Sequence, residues 1–377
     1  MGANQSTQIT SQVSHHLALS LLRELSQKDP VNIFISPFSI ANAVSMLYCG
    51  TRSETASEIS EVMGLKDISR EDLTTAFDVF LTSLEKSSEA FSLECANAIL
   101  TQEGFPAKEE YKSVLQKSFR AMFMQVDIAK DPDSAVGRVN GWVEDKTRGM
   151  IGTLVDTLDP LVVVILLNAV YFKGRWEHQF NKDSTRLQSF YNHGDKDQAK
   201  EIDMMHLKER FYYAEEETFS ALQMPYKGQG VAMLILLPLS HQGLEEVMAQ
   251  LTPNFLEDLT KKMRKMKVEV TLPKFRLEYS KSLKEVFQAL GMRRAFDEGA
   301  DLSGMSDCAD LNVSDVVHKA VIEVNEEGTV AAAATAVMIQ NRCMVYEPEF
   351  TVDHPFLFMI IDTNSNVNLF TGKIVEM

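Results

Sequence analysis

The chain has 377 residues, of which 45% are hydrophobic and 24% are charged, values that are ordinary for a globular protein. Its formal net charge at pH 7 is -16, which argues against a nucleic acid as partner because phosphate backbones attract basic surfaces. The longest apolar run, residues 161–167, is too short to cross a bilayer as a helix, so we expect no transmembrane segment.

No Pro/Gly/Ser-rich linker, repeat or low-complexity tract divides the chain. The length alone would allow two or three domains, but we expect a single domain over residues 1–377. One basic cluster interrupts the acidic background, at Lys261, Lys262, Arg264, Lys265 and Lys267. We interpret this cluster as a solvated helix end that leads into a strand, with a polyanion site as the alternative.

The four cysteines lack metal-ligand spacing and are expected to be free thiols of a reducing compartment; they are Cys49, Cys95, Cys308 and Cys343. The N-terminus has no apolar signal-peptide core. The expected location is the cytoplasm if Met1 is the native start, or outside the cell if a signal peptide has been removed. Myristoylation of Gly2 and glycosylation of Asn4 and Asn312 stay open.

In chain order, apolar residues at helical spacing predict a helix from about Ser11 to Gln27. The run Ile33–Ile40 predicts a short buried strand that turns into a second helix. Thr51–Glu54 matches a capping box, which is expected to open a helix that stops near Gly64. Ser69 is expected to cap the helix that follows.

Further along, residues 95–100 predict a buried strand, and a helix is expected around 108–119. The run 161–172 is almost wholly apolar apart from Asn168, which is typical of a strand covered on both faces. Residues 190–273 alternate strand-like runs with turns. A helix over 283–290 is expected to end before Gly291.

The sequence contains no constellation that is typical of an enzyme. It has no G-x-S-x-G elbow, no H-E-x-x-H, no P-loop and no dinucleotide fingerprint. Ser36 and Ser39 could suggest a nucleophile, but their apolar surroundings and the lack of a nearby base favour structural hydrogen bonds. We therefore expect no enzymatic activity, no cofactor and no metal.

The most informative stretch is 323–348, EVNEEGTVAAAATAVMIQNRCMVYEP. Its alanines alone predict a helix over 329–339, because alanine is the best helix former. A second interpretation is a loop that becomes a strand, since the side chains of 329–336 are mostly small and no proline lies between Pro273 and Pro348. Near its end, Arg342 suits a pocket with a carboxylate at its base.

The run EEGTVAAAATA resembles the hinge of a serpin, a serine protease inhibitor of the suicide-substrate type. Other stretches resemble the same family, among them 139–151, 168–176, 272–275 and 300–305. The resemblance implies an α+β serpin fold, with a large central mixed β-sheet, two further sheets, surrounding helices and an exposed reactive-centre loop at about 326–347. The helix around 139–151 would lie across the front of the main sheet.

The resemblance also implies roles for individual residues. The reactive bond would join Arg342 and Cys343. The loop hinge would precede it in the sequence and would consist of Glu326, Gly328, Thr329, Ala331, Ala332, Ala333 and Ala334. A buried "shutter" would hold Ser36, Ser39, Asn168 and His318. At the "breach", where the loop begins to insert, Trp176 would sit near the top of the sheet, and Lys284 would form an ion pair with Glu326.

The implied function is inhibition of trypsin-like serine proteases through a covalent acyl complex, by a chain expected to be monomeric. Arg70 and Lys86 stand among acidic residues, which argues against activation by heparin. Val330 replaces the glutamate that is usual in inhibitory members. Cys343 resembles intracellular ovalbumin-type members, and its thiol could be oxidised.

Two alternatives remain open: a non-inhibitory serpin that acts as a binding or carrier protein, and inhibition of papain-like cysteine proteases. A bond after Ile339 or Gln340 would shift specificity away from trypsin-like enzymes.

Overall fold

The computed structural model describes residues 3–28, 31–86, 91–308, 311–327 and 347–377. Helices and strands are mixed along this part of the chain, as expected for an α+β protein. The helices are α1 Ala3–Lys28, α2 Pro37–Gly50, α3 Ser53–Val62, α4 Arg70–Lys86, α5 Glu109–Phe119, α6 Pro132–Lys146, α7 Leu244–Ala249, α8 Phe255–Lys262 and α9 Lys284–Leu290. The strands are β1 Ile33–Ile35, β2 Phe91–Gln102, β3 Met122–Val126, β4 Val164–Gly174, β5 Arg186–Tyr191, β6 Ala199–Glu215, β7 Phe219–Pro225, β8 Val231–Pro238, β9 Arg264–Pro273, β10 Phe275–Ser282, β11 Val313–Val324, β12 Glu349–Thr351, β13 Phe356–Asp362 and β14 Val367–Ile374.

The central sheet has five strands in the order β10-β11-β4-β2-β3. Its middle pair, β11 and β4, is parallel, while β10 and β2 run antiparallel to their inner neighbours. The sheet is therefore mixed, as the sequence predicts, and its longest strands are the inner ones.

The second sheet follows the order β1-β14-β13-β8-β7-β6-β9-β12, with β5 paired to β6. The sequence analysis expected two further sheets, but among the described residues there is one, continuous because 212–215 of β6 pair with 220–223 of β7. The predicted fold class is confirmed.

Strand β4 is buried on both faces because successive residues face different hydrophobic clusters. Leu166 and Val170 belong to the main core, which also contains residues of α1 and α2. Leu167 lies instead in a smaller cluster with Val139 and Val143 of α6. Each buried side chain of this size contributes about 1.5–3 kcal/mol. Helix α6 thus lies across the central sheet. The apolar run of β4 is covered by the main core on one face and by α6 on the other.

Two predicted helix starts have different outcomes. At α4, the Ser69 hydroxyl accepts a hydrogen bond from the Asp72 amide at 3.0 Å and donates to the Asp72 carboxylate at 2.7 Å, so the predicted cap is confirmed.

The predicted capping box over Thr51–Glu54 is wrong. The Thr51 hydroxyl donates to the carbonyl of Tyr48 at 3.0 Å, so it closes the end of α2. Helix α3 begins at Ser53 without a side-chain cap. The helix nevertheless ends close to Gly64, whose φ of +67° favours glycine.

Three of the four cysteines lie in the described part, and Cys49, Cys95 and Cys308 are free thiols, as predicted. Cys343 lies outside it. None of the helices described above is both long and apolar enough to cross a membrane.

Candidate functional site

The central parallel strand pair carries a polar cluster in an otherwise apolar core. His318 of β11 lies directly opposite Asn168 of β4 in the register of the two strands. The two side chains are hydrogen-bonded, with 2.5 Å between His318 Nδ1 and Asn168 Oδ1. Strand pairing therefore brings together two residues that are 150 positions apart in the sequence.

The start of α2 supplies the other members of this cluster. The Ser36 amide donates to His318 Nε2 at 3.3 Å. The Asn168 amide group donates to Ser39 Oγ at 2.5 Å and to the Asn97 side-chain oxygen. All four residues predicted for the shutter thus lie together, and Asn97, which the sequence analysis missed, completes the group.

These contacts define the protonation of His318. Because Nε2 accepts from a backbone amide, the ring proton lies on Nδ1, which donates to Asn168 Oδ1. Burial lowers the pKa of His318 to about 3, so the ring is neutral at physiological pH. The side chain is fully buried, and a catalytic role would need access to substrate. The cluster is a contact across β4 and β11.

We expect the stability of the folded protein to fall in acid because of His318. Its pKa is about 3 when folded and 6.5 when unfolded, so the unfolded chain binds the extra proton below 6.5. The contribution of His318 to the free energy of unfolding is fully present above pH 6.5. Below that pH it falls by about 1.4 kcal/mol per pH unit, a loss of about 2 kcal/mol by about pH 5. Urea midpoints measured at both pH values should reveal the loss.

The matched control for this prediction is His318→Gln, which keeps a neutral polar side chain and removes the titration. The variant should show a weaker loss of stability over the same pH range, because the other histidines still titrate. An equal slope in the parent and the variant would contradict the prediction.

An aromatic contact covers the C-terminal ends of β4 and β11. Trp176 stacks on Tyr226 with ring centroids 4.4 Å apart, and its indole nitrogen donates to the carbonyl of Asn325 at 2.9 Å. Gly174 is required beside them, because a Cβ there would approach the Tyr226 ring to 2.5 Å. Trp176 therefore touches the chain directly after β11.

The ion pair predicted between Lys284 and Glu326 is wrong. The Glu326 carboxylate, with 6% of its side chain exposed, lies 3.2 Å from the ammonium of Lys274 and accepts a hydrogen bond from Thr185 at 2.9 Å. Lys284 begins α9, and its ammonium lies 5.8 Å from the centroid of the Phe296 ring. The residue that pairs with Glu326 is the single residue between β9 and β10, where the chain passes from one sheet to the other.

The environment of Glu326 favours the ionised form. Burial raises its pKa, but hydrogen bonds from its own backbone amide, Thr185 and Lys274 outweigh burial and hold the pKa below its usual value. A cleft of about 580 Å³ opens beside it, lined by Lys173, Lys182, Lys274, Glu323, Asn325, Glu326 and Glu327. Residues from the ends of both β4 and β11 therefore border an open space.

We expect Lys274→Met to destabilise the protein by about 1 kcal/mol, because it leaves a largely buried carboxylate without its cation. Lys284→Met removes a lysine at the opposite end of β10, away from Glu326, and should cost less than about 0.5 kcal/mol. Urea unfolding of the two variants compares them directly. A larger loss for Lys284→Met would contradict this assignment.

One group of described side chains offers three atoms of the metal-ligand type within 4.8 Å of one another: His241, Asp353 and His354. The two imidazole rings are stacked 4.6 Å apart at 17°, so their lone pairs lie in nearly parallel planes and cannot meet at one ion. His354 is already bonded to Asp353 at 2.7 Å and to the Pro238 carbonyl at 2.8 Å. This group packs the turn after β12 against β8.

The remaining predicted site residues lie outside the described part of the chain. They are Gly328, Thr329, Ala331, Ala332, Ala333, Ala334, Arg342 and Cys343. Glu327 is the last described residue before them and Glu347 the first after them. Sequence reasoning missed Lys274, although the matched stretch 272–275 contains it.

Comparisons with known proteins agree on one family. The family model described as "Serpin (serine protease inhibitor)" matches residues 12–377. Iripin-2 from Ixodes ricinus is 38% identical over 373 residues, which cover 97% of this chain and 93% of that protein. The leukocyte elastase inhibitor of Bos taurus is 35% identical over 375 residues, covering 97% of this chain and 98% of its own.

Solved structures show the same architecture. Uncleaved ovalbumin superposes with a TM-score of 0.88 at 27% identity, covering 97% of this chain and 99% of its own. Human thyroxine-binding globulin complexed with thyroxine superposes with a TM-score of 0.90, also at 27% identity, with 98% and 99% covered.

Proposed function

Because the chain belongs to the serpin family, we propose that it inhibits trypsin-like serine proteases as a suicide substrate, with Arg342 as the attacked residue. The family is one of protease inhibitors rather than catalysts, although non-inhibitory members also exist. The proposed functional unit is a single domain over residues 1–377, with a reactive-centre loop at about 326–347.

The observation that carries this proposal is the parallel pairing of β11 with β4. A segment that turns back after β11 runs antiparallel to β11. Since β4 has the same direction as β11, that segment is antiparallel to β4 as well. Its insertion between them would replace one parallel pairing by two antiparallel ones, which are slightly more stable per residue.

The proposed chemistry begins with attack by the protease's catalytic serine oxygen on the carbonyl carbon of Arg342. The peptide bond to Cys343 breaks, its amine leaves, and an ester joins Arg342 to the protease. The freed segment 328–342 has 15 residues and would span roughly 50 Å as an inserted strand. Its insertion would move the attached protease by most of that length.

Trapping requires that the ester outlives the insertion. Hydrolysis needs an intact oxyanion hole and an aligned histidine in the protease, and losing either slows the reaction by orders of magnitude. Distortion of the displaced protease would remove both. The native state persists because a kinetic barrier separates it from the inserted one.

The polar cluster around His318 lies on the line of this insertion. The contact between His318 and Asn168 joins the two strands directly, so an inserted strand would have to separate them. The proposed role of the cluster, and of Trp176 with the Lys274–Glu326 pair at the C-terminal ends of β4 and β11, is to hold the sheet closed until cleavage.

The rival function is that of a non-inhibitory serpin, a binding or carrier protein. Such members typically carry bulky, charged or proline residues in the hinge, and 328–336 here contains none. Val330 departs from the usual glutamate, but a β-branched residue suits a strand. These features favour inhibition.

Incubation with an equimolar amount of trypsin tests the proposal. We expect a complex that survives denaturing electrophoresis, together with a released peptide that begins at Cys343 by mass spectrometry. Complete cleavage with no such complex would make the protein a substrate and would favour the non-inhibitory function.

A further inference from the structure

The basic cluster noted in the sequence divides into two parts in the structure. Lys261 and Lys262 end α8, and their ammonium groups pair with Glu257 and Glu216 at 2.8 and 2.7 Å. The remaining cations continue along β9, beginning at Arg264. The helix end that leads into a strand is thus confirmed, and its charges are neutralised locally.

The β9 part forms a strip with the neighbouring strand β6. In the antiparallel register, Lys208 lies opposite Glu269, Arg210 opposite Lys267, and Tyr212 opposite Lys265. Residues that are directly opposite share a face, and so do alternate residues along each strand. We call Lys208, Arg210, Tyr212, Lys265 and Lys267 the β6–β9 basic strip.

One end of this strip is ion-paired and the other is free. Lys208 lies 3.0 Å from Glu269 and 2.9 Å from Glu347, which also approaches Lys267 at 3.4 Å. Glu349, on the adjacent strand β12, lies opposite Glu269 and adds a further carboxylate at this end. Within the described part of the chain, neither Arg210 nor Lys265 takes part in an ion pair.

The free end, at Arg210, Tyr212 and Lys265, has features of a binding surface. Arg210 lies directly opposite a like charge, Lys267, and Glu347 at 3.4 Å from Lys267 offsets part of that repulsion. Tyr212 beside them exposes 48% of its surface. Tyrosine and arginine dominate the energetics of protein interfaces. A partner with carboxylates would relieve the repulsion and cover the ring.

The strip also lies within reach of a protease bound at the proposed reactive bond. Glu347, which contacts both Lys208 and Lys267, is five residues after Arg342 in the sequence. An extended chain spans at most about 3.5 Å per residue, so Arg342 lies within about 17 Å of Glu347. From Lys208, which contacts Glu347, the strip extends four residues along β6 to Tyr212, or about 13 Å. A protease of about 200 residues has a radius of gyration of about 16 Å.

We propose that the β6–β9 basic strip is a second contact site for the target protease, and that this protease carries an acidic surface beside its substrate cleft. The inference rests on the proposed function and adds a partner class to it. The chain as a whole has a net charge of -16 and repels an anionic protease at long range. At physiological salt the screening length is about 8 Å, so the strip governs the final approach.

The test compares two trypsins that cleave after the same residues, one anionic and one cationic. The variant R210E/K265E reverses the free end of the strip and keeps its paired end. At about 0.15 M salt, we expect its association with anionic trypsin to slow by about tenfold. Association with cationic trypsin should be unchanged or faster. Y212A tests the ring without changing charge and should slow association with anionic trypsin by about threefold.

The control is K66E/K117E, which changes the net charge equally at two exposed lysines that form no ion pair with any described residue. Its effect on anionic trypsin should be less than about twofold. Equal slowing by both double variants would overturn the proposal, since overall charge would then explain it. An unchanged rate for R210E/K265E would overturn it as well.

Two further readouts keep the outcomes distinct. R210E places a carboxylate opposite Lys267, so the thermal midpoint of R210E/K265E should not fall, and lost folding cannot account for slower association. If the parent protein forms no stable complex with either trypsin, the proposed function itself fails. If the parent protein and the strip variants form complexes at equal rates, only the proposal of a second contact site is contradicted.

Discussion

Ala332→Pro is expected to abolish the stable complex with trypsin while cleavage after Arg342 continues. Proline has no backbone N–H and cannot donate to a sheet ladder, so it is excluded from central strands. In the proposed mechanism, residue 332 enters the sheet between β4 and β11, with a partner strand on each side. The yield of complex should fall from most of the protein to less than about a tenth, since proline at 332 removes a ladder hydrogen bond at a position with strands on both sides.

Ala332→Ser is the matched control, because it keeps the amide and a small side chain at the same position. It should retain nearly the full yield of complex. Denaturing gels measure the complex, and the rate at which the intact chain disappears measures cleavage. Equal complex formation by the proline variant would show that residue 332 does not insert, and would contradict the proposed mechanism.

Arg342→Gln is expected to lower the rate of trypsin inhibition by about a thousandfold. A guanidinium that enters a pocket with a carboxylate forms a charge-assisted, bidentate contact. Removing one partner of such a buried pair leaves the other charge uncompensated and costs about 3–5 kcal/mol. Glutamine has a similar length but no charge, so the loss isolates the ionic contact.

Arg342→Lys provides the comparison, because lysine retains the charge and should keep inhibition within about tenfold to a hundredfold of the parent. The released peptide should begin at residue 343 in every inhibitory variant. If the reactive bond follows Ile339 or Gln340 instead, Arg342→Gln would leave inhibition almost unaffected and the peptide would begin earlier.

The sequence predicted those parts of the fold in which the local pattern and the tertiary environment agree. The run 161–172 indicated a strand with two covered faces, and β4 lies between the main core and α6. Structural hydrogen bonds of Ser36 and Ser39 followed from their apolar surroundings, whereas their grouping with Asn168 and His318 was implied by the family resemblance. Their hydrogen bonds connect all four.

The errors arose where one motif allowed two tertiary solutions. Thr51 has the residue type of a helix cap, but the loop that carries Asp301 binds the Arg52 amide at 2.9 Å, and Thr51 closes the preceding helix. Lys274 and Lys284 are ten positions apart in the sequence, but they lie at opposite ends of β10, and only Lys274 is at the end where Glu326 lies. Which of them reaches Glu326 depends on where the chain passes from β9 in one sheet to β10 in the other, and spacing alone carries no information about that geometry.

The contact between Trp176 and the Asn325 carbonyl gives the protein an internal optical probe. The chain has only two tryptophans, and Trp176 donates its indole N–H to the residue that follows β11 while its ring stacks on Tyr226. Any movement of residues 325–327 into the sheet would alter the polarity and hydrogen bonding around that indole. Its emission would then follow the conformational step itself, separately from the cleavage that precedes it, without a dye or a label.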